Sequence, residues 1–186
     1  MQVILIDENL ETLEDMARRI RESQPLAEIH TFSSQDAMEK WLAENRLVSL
    51  RVQTFGNFEV FWKDQPVRFE RSKTRELFAY LIDRRGAGST MGELISVLWE
   101  GRPDTASLRS QLRSLITDLR ATFRAFGAED VIIKERDYIA VDPARVECDY
   151  YRYLAGEKAA RTAFRGEYMS NYSWAEITVG SLQQKK

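Results

Sequence analysis

Residues 103–126, PDTASLRSQLRSLITDLRATFRAF, carry two periodicities at once, and together they constrain the fold more than any other stretch. At about 100° per residue, Leu108, Leu112, Leu115, Ile116, Leu119, Phe123 and Phe126 fall on one apolar stripe, which predicts a long helix with one face in a core. Arg109, Arg113, Arg120 and Arg124 fall on a second stripe beside the first, with Thr117 near its edge. Small residues, Ser110, Ser114 and Ala121, cover much of the remaining surface, so the backbone can come close to a phosphate-lined groove. The pattern predicts a DNA recognition helix. An ordinary amphipathic helix whose arginines are merely solvated is the alternative.

Upstream, the residues alternate between strand and helix signals. Val3 to Ile6 form an apolar run ending in Asp7 and Glu8, and Asn9 can cap a helix with Leu10, Leu13, Met16, Ala17 and Ile20 on one face. Pro25 breaks it. A second strand over residues 27–32 and a second helix, capped by Ser33 or Ser34 and carrying Ala37, Met38, Trp41 and Leu42, complete a βαβα unit. From residue 50 to residue 61 a loose alternation predicts an antiparallel sheet. A turn at residues 63–66 and a short strand at 67–69 continue it. Ser72 is expected to cap a helix over 73–85, with Leu77, Phe78, Leu81 and Ile82 inward and Gly86 as its stop. Thr90 and Glu93 form a capping box for a helix carrying Leu94, Ile95, Val97, Leu98 and Trp99. After the arginine-striped helix come two short strands, 131–133 and 138–141, joined as a hairpin by Lys134, Glu135, Arg136 and Asp137.

Sheet, three helices and a hairpin in this order predict a winged helix-turn-helix, in which the third helix enters the major groove and the hairpin touches backbone. The fold class is therefore α+β: a winged helix-turn-helix domain at 47–147, preceded by a βαβα fragment at 1–46 and followed by a short helical tail at 148–186. LRVQTFGNFEVFW, then RSKTRELFAYLIDRRGAGSTMGELISVLWEG, then SLRSQLRSLITDLRATF resembles the DNA-binding domain of SARP-type bacterial transcriptional activators, relatives of OmpR-type winged helices. The resemblance covers roughly residues 50 to 147, and its ordered set of motifs is more specific than any one of them. It implies a DNA interface made of Arg109, Ser110, Arg113, Thr117, Arg120 and Arg124 on the helix, with Lys134, Arg136 and Tyr138 on the wing. Here the wing departs from the family, because Glu135 and Asp137 at its tip would repel phosphate. The helix is expected to matter more.

The 1–46 fragment resembles the start of a response-regulator receiver domain, where a strand ending in paired acids holds magnesium beside a phosphorylated aspartate. The chain passes from Asn45 and Arg46 directly into LVSLRVQTF, without the third-strand aspartate of that family, so phosphotransfer is not expected. Asp7 and Glu8 are then either a residual magnesium pocket or a solvated acidic turn. Two strands and two helices are too few to close a core. The fragment is expected to need a partner: the strand that follows in sequence, the winged-helix surface, or the same fragment of a second molecule. Self-association through residues 1–46 would suit a winged helix reading two half-sites.

In residues 148–186, a short helix at Cys148 to Leu154 and a second near 159–164 are expected, and FRGEYMSNYSWAE resembles the aromatic start of the activation domain in the same activators. Tyr150, Tyr151, Tyr153, Phe164, Tyr168, Tyr172 and Trp174 make either packing or a ligand cage. One cysteine, Cys148, and one histidine, His30, cannot build a disulfide framework or a zinc site, and no cofactor is implied.

Charge bears on the partner. The chain of 186 residues has a net charge of −2, but residues 1–46 hold 5 Lys/Arg against 10 Asp/Glu, leaving 22 against 19 for the rest. DNA contact must therefore come from a local patch. Met1 leads into a strand-like run instead of a signal peptide, and no apolar run approaches the ~20 residues of a membrane span. A cytoplasmic protein without a membrane partner is expected. The leading function is a sequence-specific regulator bound to double-stranded DNA, with RNA polymerase as a candidate partner. A DNA-free interaction or dimerisation module is the alternative, and no catalytic set is present to suggest an enzyme.

Overall fold

The capping residues set where the helices begin. In the computed structural model, which describes residues 2–44 and 50–184, Asn9 accepts from the backbone N–H of Glu11 at 2.9 Å and opens helix α1, Leu10–Ser23. Ser34 does the same for α2, Gln35–Glu44, accepting from Ala37 N–H at 3.2 Å. Thr90 and Glu93 form the reciprocal box that starts α4, Met91–Leu98, with Thr90 N–H donating to the Glu93 carboxylate at 2.7 Å. The expected cap at Ser72 is a correction. Helix α3 runs Ser72–Asp83, so Ser72 lies inside it and Arg71 stands at the cap without a side-chain bond. The Arg71 carbonyl accepts instead from Thr74 and Arg75 N–H, at 3.1 and 3.3 Å.

The chain divides into two units, Met1–Leu47 and Val48–Lys186. In the first, β1 (Gln2–Ile6) pairs with β2 (Glu28–Phe32) in parallel, with Val3 opposite Ile29 and Ile6 opposite Phe32. Trp41 of α2 packs on His30 and Phe32, at ring separations of 4.2 and 5.4 Å. Helix α1 buries Leu13 and Ala17, but Leu10 and Met16, on the flanks of the same apolar arc, are 66% and 41% exposed. Two strands about 5 Å apart are narrower than that arc, so only its centre is covered. The side chain of Leu42 and residues 47–49, at the start of the expected winged-helix domain, lie outside the described residues.

The second unit holds a sheet of order β5-β4-β3-β8. Its strands are β3 (Leu50–Gln53), β4 (Glu59–Trp62), β5 (Gln65–Pro66) and β8 (Glu147–Cys148), all antiparallel neighbours except β3 and β8. Lys63 and Asp64 both take positive φ, 46° and 63°, the conformation a tight hairpin turn requires. The turn is therefore shorter than expected, and the strand after it is Gln65–Pro66 rather than 67–69. Proline is tolerated there because β5 is an edge strand.

The long helix α5 spans Ala106–Arg124, shorter at both ends than residues 103–126, because Thr105 caps it by accepting from Leu108 N–H at 3.3 Å. Its apolar stripe is in the core as expected: Leu108, Leu112, Leu115, Ile116, Leu119 and Phe123 are all buried. Burial is worth about 1.5–3 kcal/mol for each such side chain. Phe123 packs on Phe78 of α3 at 4.8 Å, Phe78 on Phe58 at 6.0 Å, and Phe126 on Trp62 at 5.8 Å. Between α3 and α5, Thr74 donates to the Asp118 carboxylate, and the Lys73 ammonium donates to the last turn of α4 at Leu98 O, 2.8 Å.

After a 3-10 turn at Glu129–Val131, the hairpin strands are β6, Ile132–Lys134, and β7, Ile139–Val141, one residue later at their starts than the sequence predicts. Val131 is taken by the 3-10 turn. Tyr138 falls in the connection. Ile139 exchanges two backbone bonds with Ser89, at 2.9 and 3.0 Å, so the hairpin is tied to the residue just before the Thr90 cap.

Residues 148–184 lie in the same unit as 50–147, through β8 and helices α6 (Asp149–Leu154), α7 (Lys158–Ala163) and α8 (Glu176–Gln183). Asp149 is the joint. Its carboxylate accepts from Thr54 N–H at 2.9 Å, Thr54 Oγ1 at 2.6 Å, Phe55 N–H at 3.0 Å and its neighbour Tyr150 N–H at 2.8 Å. The tail aromatics pack: Tyr150 on Tyr168 at 5.1 Å, Tyr153 on Phe164 at 5.4 Å, and Tyr172 stacked on Trp174 at 5.3 Å. Their hydroxyls serve the fold as well. Tyr151 donates to Ile82 O, Tyr153 to Leu182 O and Tyr168 to the Asp83 carboxylate, at 2.8, 3.0 and 2.8 Å. Cys148 is buried, and burial first, then the Asp149 charge, pushes its thiol far up, which leaves no reactive thiolate.

Candidate nucleic-acid interface

One side of α5 is left bare by the core, and the hairpin and the start of α4 rise beside it. The three elements enclose an open groove of about 650 Å³ lined by Thr90, Met91, Gly92, Arg109, Arg113, Ile116, Thr117, Arg120, Lys134, Arg136 and Asp137. Five of these side chains are cationic and one is acidic, so the groove is positive although the chain is not. From Arg109 to Arg120 the cations extend about 16 Å along the helix, at 1.5 Å per residue.

The four stripe arginines differ in what holds them. Arg109 is gripped by Asp104, in the loop before α5, through Nε–Oδ1 at 2.9 Å and Nη2–Oδ2 at 2.5 Å. Arg124 is gripped in the same two-pronged way by Glu129, at 2.9 and 2.8 Å, and Arg120 reaches the same carboxylate at 2.5 Å. The hydrogen bonds from Arg124 first, and the two positive charges with them, hold the Glu129 carboxyl down at about 2. Arg113, exposed in the middle of the stripe, has no ion-pair partner among the described residues. Arg124 lies on the stripe but does not line the groove.

Thr117 turns its hydroxyl onto the helix, donating to Arg113 O at 2.9 Å, while Ser110 is exposed about two turns earlier. On the hairpin, Lys134 and Arg136 face the groove together with Asp137, whereas Glu135 is not among the lining residues. Of the two acids expected to repel phosphate, one therefore lies there. Tyr138 is 43% exposed, with its ring laid against Gly88, where a Cβ would come within 2.6 Å of Cδ2.

Sequence reasoning missed the N-terminus of α4 as a wall of the groove. It also missed the two carboxylates, Asp104 and Glu129, and Arg71, whose guanidinium donates to Ser114 on α5 at 3.2 Å. Asp7 and Glu8 take no part in the groove. Asp7 Oδ1 accepts from Asn9 N–H at 2.8 Å as part of the α1 cap, and Glu8 is exposed. Among the described residues no group of three His, Cys, Asp or Glu is placed to hold a metal ion. No helix among them is long and apolar enough to cross a membrane.

No protein-family model matches the chain, and no curated protein matches it in sequence. A solved structure of Mycobacterium tuberculosis EmbR in complex with a low-affinity phosphopeptide is similar in fold, with a TM-score of 0.63 at 20% identity. The match covers 74% of this chain and 42% of that one, so the chain spans less than half the length of EmbR. By that likeness, this chain has an EmbR-like fold of mixed helices and strands over the matched part.

Proposed function

We propose that the chain is a sequence-specific transcriptional regulator that binds double-stranded DNA through a winged helix-turn-helix made of α3, α4, α5 and the β6–β7 hairpin. What carries the reading is the groove itself, where Arg109, Arg113, Arg120, Lys134 and Arg136 converge on one face of a helix whose other face is buried. A rigid helix with a cationic side fits the major groove, and the hairpin beside it fits the adjacent backbone. Arg113, free of carboxylates, reads a base edge, with Ser110 and Thr117 beside it. Arg109, Arg120, Arg124, Lys134, Arg136 and the Tyr138 hydroxyl serve the phosphates. The EmbR-like fold supports a regulator over an enzyme. Residues 47–147 supply the interface, 148–184 buttress it, and 1–46 act without receiver phosphotransfer as the self-association element.

The test is direct. Selection of bound sequences from a random duplex pool should yield a preferred site, and Arg113→Ala should weaken binding to it by about 1–3 kcal/mol, as loss of a bidentate base contact does. Folding should hardly change. If the parent binds no duplex, or Arg113→Ala binds like the parent, the reading is wrong. The groove then serves an acidic protein surface, the alternative in which the chain is a DNA-free interaction module.

A further inference from the structure

Two of the four stripe arginines converge on one carboxylate, and its placement is rigid. Gly127, at φ +69°, turns the chain back after α5. Ala128 N–H then donates to Phe123 O at 3.0 Å and Val131 N–H to Ala128 O at 3.1 Å, with Ala128 and Val131 both buried. Glu129 is thus carried on an anchored turn, not on a free end. Its neighbour Asp130 is engaged elsewhere, with Arg145 at 3.0 Å. The side chains of Arg120, Arg124 and Glu129 are 38%, 64% and 33% exposed, and Arg120 lines the groove, so a phosphate entering there meets a guanidinium already paired with Glu129.

We propose that Glu129 is a specificity-determining residue: an intramolecular competitor that holds Arg120 and Arg124 against sequence-independent capture by DNA phosphate. This rests on the DNA reading above. Phosphate approaching either arginine exchanges one ion pair for another and gains little, while contacts made by the unpaired Arg113 count in full. Non-specific binding, which is nearly all phosphate electrostatics, is suppressed more than binding to the preferred site. The carboxyl is held far below neutrality, so the competitor stays charged through the physiological range.

Glu129→Gln keeps the shape and removes the charge. Measured by fluorescence anisotropy over a salt series, the variant is expected to bind random duplex about three- to tenfold tighter at 0.1 M salt. Its log K against log salt slope should steepen by about 1, and its preference for the selected site over random duplex should fall. In an Arg120→Ala/Arg124→Ala background the same substitution should change random-duplex binding less than twofold, a result that a purely structural role would not give. That background protein also serves if Glu129→Gln lowers the melting temperature, since removing both arginines from the parent, where Glu129 already engages them, should cost random-duplex binding no more than Arg113→Ala does. A parent that binds DNA, with a Glu129→Gln variant that is unchanged or weaker, overturns the inference alone. So does a gain that persists without the two arginines. A parent that binds no duplex overturns the DNA reading and this inference with it.

Discussion

Replacing Asp149 by alanine tests whether residues 148–184 are part of the fold that presents the groove or a separable appendage. The carboxylate takes Thr54 N–H on both oxygens, at 2.9 and 3.0 Å, along with Thr54 Oγ1 at 2.6 Å and Phe55 N–H at 3.0 Å. Thr54 has no exposed surface, so water cannot replace these bonds. Each buried donor left without a partner costs about 1–3 kcal/mol, and the groups share one acceptor, so their losses overlap; about 3–5 kcal/mol is expected for Asp149→Ala. Asp149→Asn, which keeps one acceptor oxygen but turns an amide toward the other donors, should cost about 1–3 kcal/mol. For a domain of this size the alanine variant corresponds to a melting temperature lower by about 10 °C. Urea unfolding followed by circular dichroism and tryptophan fluorescence gives the difference, with both probes needed because two units can unfold separately. A loss below about 1 kcal/mol for Asp149→Ala would refute the idea that this joint ties the tail to the sheet.

Gly88→Ala would place a Cβ 2.6 Å from Tyr138 Cδ2 and 2.9 Å from Cγ, so the ring must swing away from the loop. Because Tyr138 is 43% exposed it can move outward, and the expected result is a stability loss at or below about 1 kcal/mol with duplex affinity down threefold or more, read by denaturation and binding in parallel. In the first unit, β1 pairs only with β2 among the described strands, and Ile4, Ile6, Leu10, Met16 and Leu26 are 40%, 46%, 66%, 41% and 95% exposed. Sedimentation at about tens of micromolar should find the whole chain associated and the chain lacking residues 1–46 monomeric; a monomer in both cases rules out self-association through that unit.

What could be read from the residues was what acts within a turn or two of chain. The capping box of Thr90 and Glu93, the Asn9 cap and the α5 core stripe are i, i+3 and i, i+4 relations, and all three are present in the structure. The carboxylates that divide the arginines escape that rule. Asp104 is five residues before Arg109, and Glu129 is five after Arg124 and nine after Arg120, each reached from outside the helix by a turn of backbone. Helix α8, with the sequence EITVGSLQ, has little amphipathic contrast and buries only Leu182, so no helical period marks it in the sequence. The Asp149 joint spans 95 residues of sequence to Thr54, which no local pattern encodes.

The structure also separates what holds α5 in place from what the helix offers to a partner. Its position rests on buried leucines, isoleucine and phenylalanine, each worth about 1.5–3 kcal/mol. Its cations sit on the adjoining face and contribute little to folding, since exposed ion pairs are worth about 0–1 kcal/mol. An arginine such as Arg113 can therefore be chosen for what it binds without disturbing the helix that carries it. The same division accounts for a positive groove in a chain of net charge −2. Of the four arginines on the α5 stripe, three are already answered by Asp104 and Glu129, which favours a partner that rewards the fourth, Arg113.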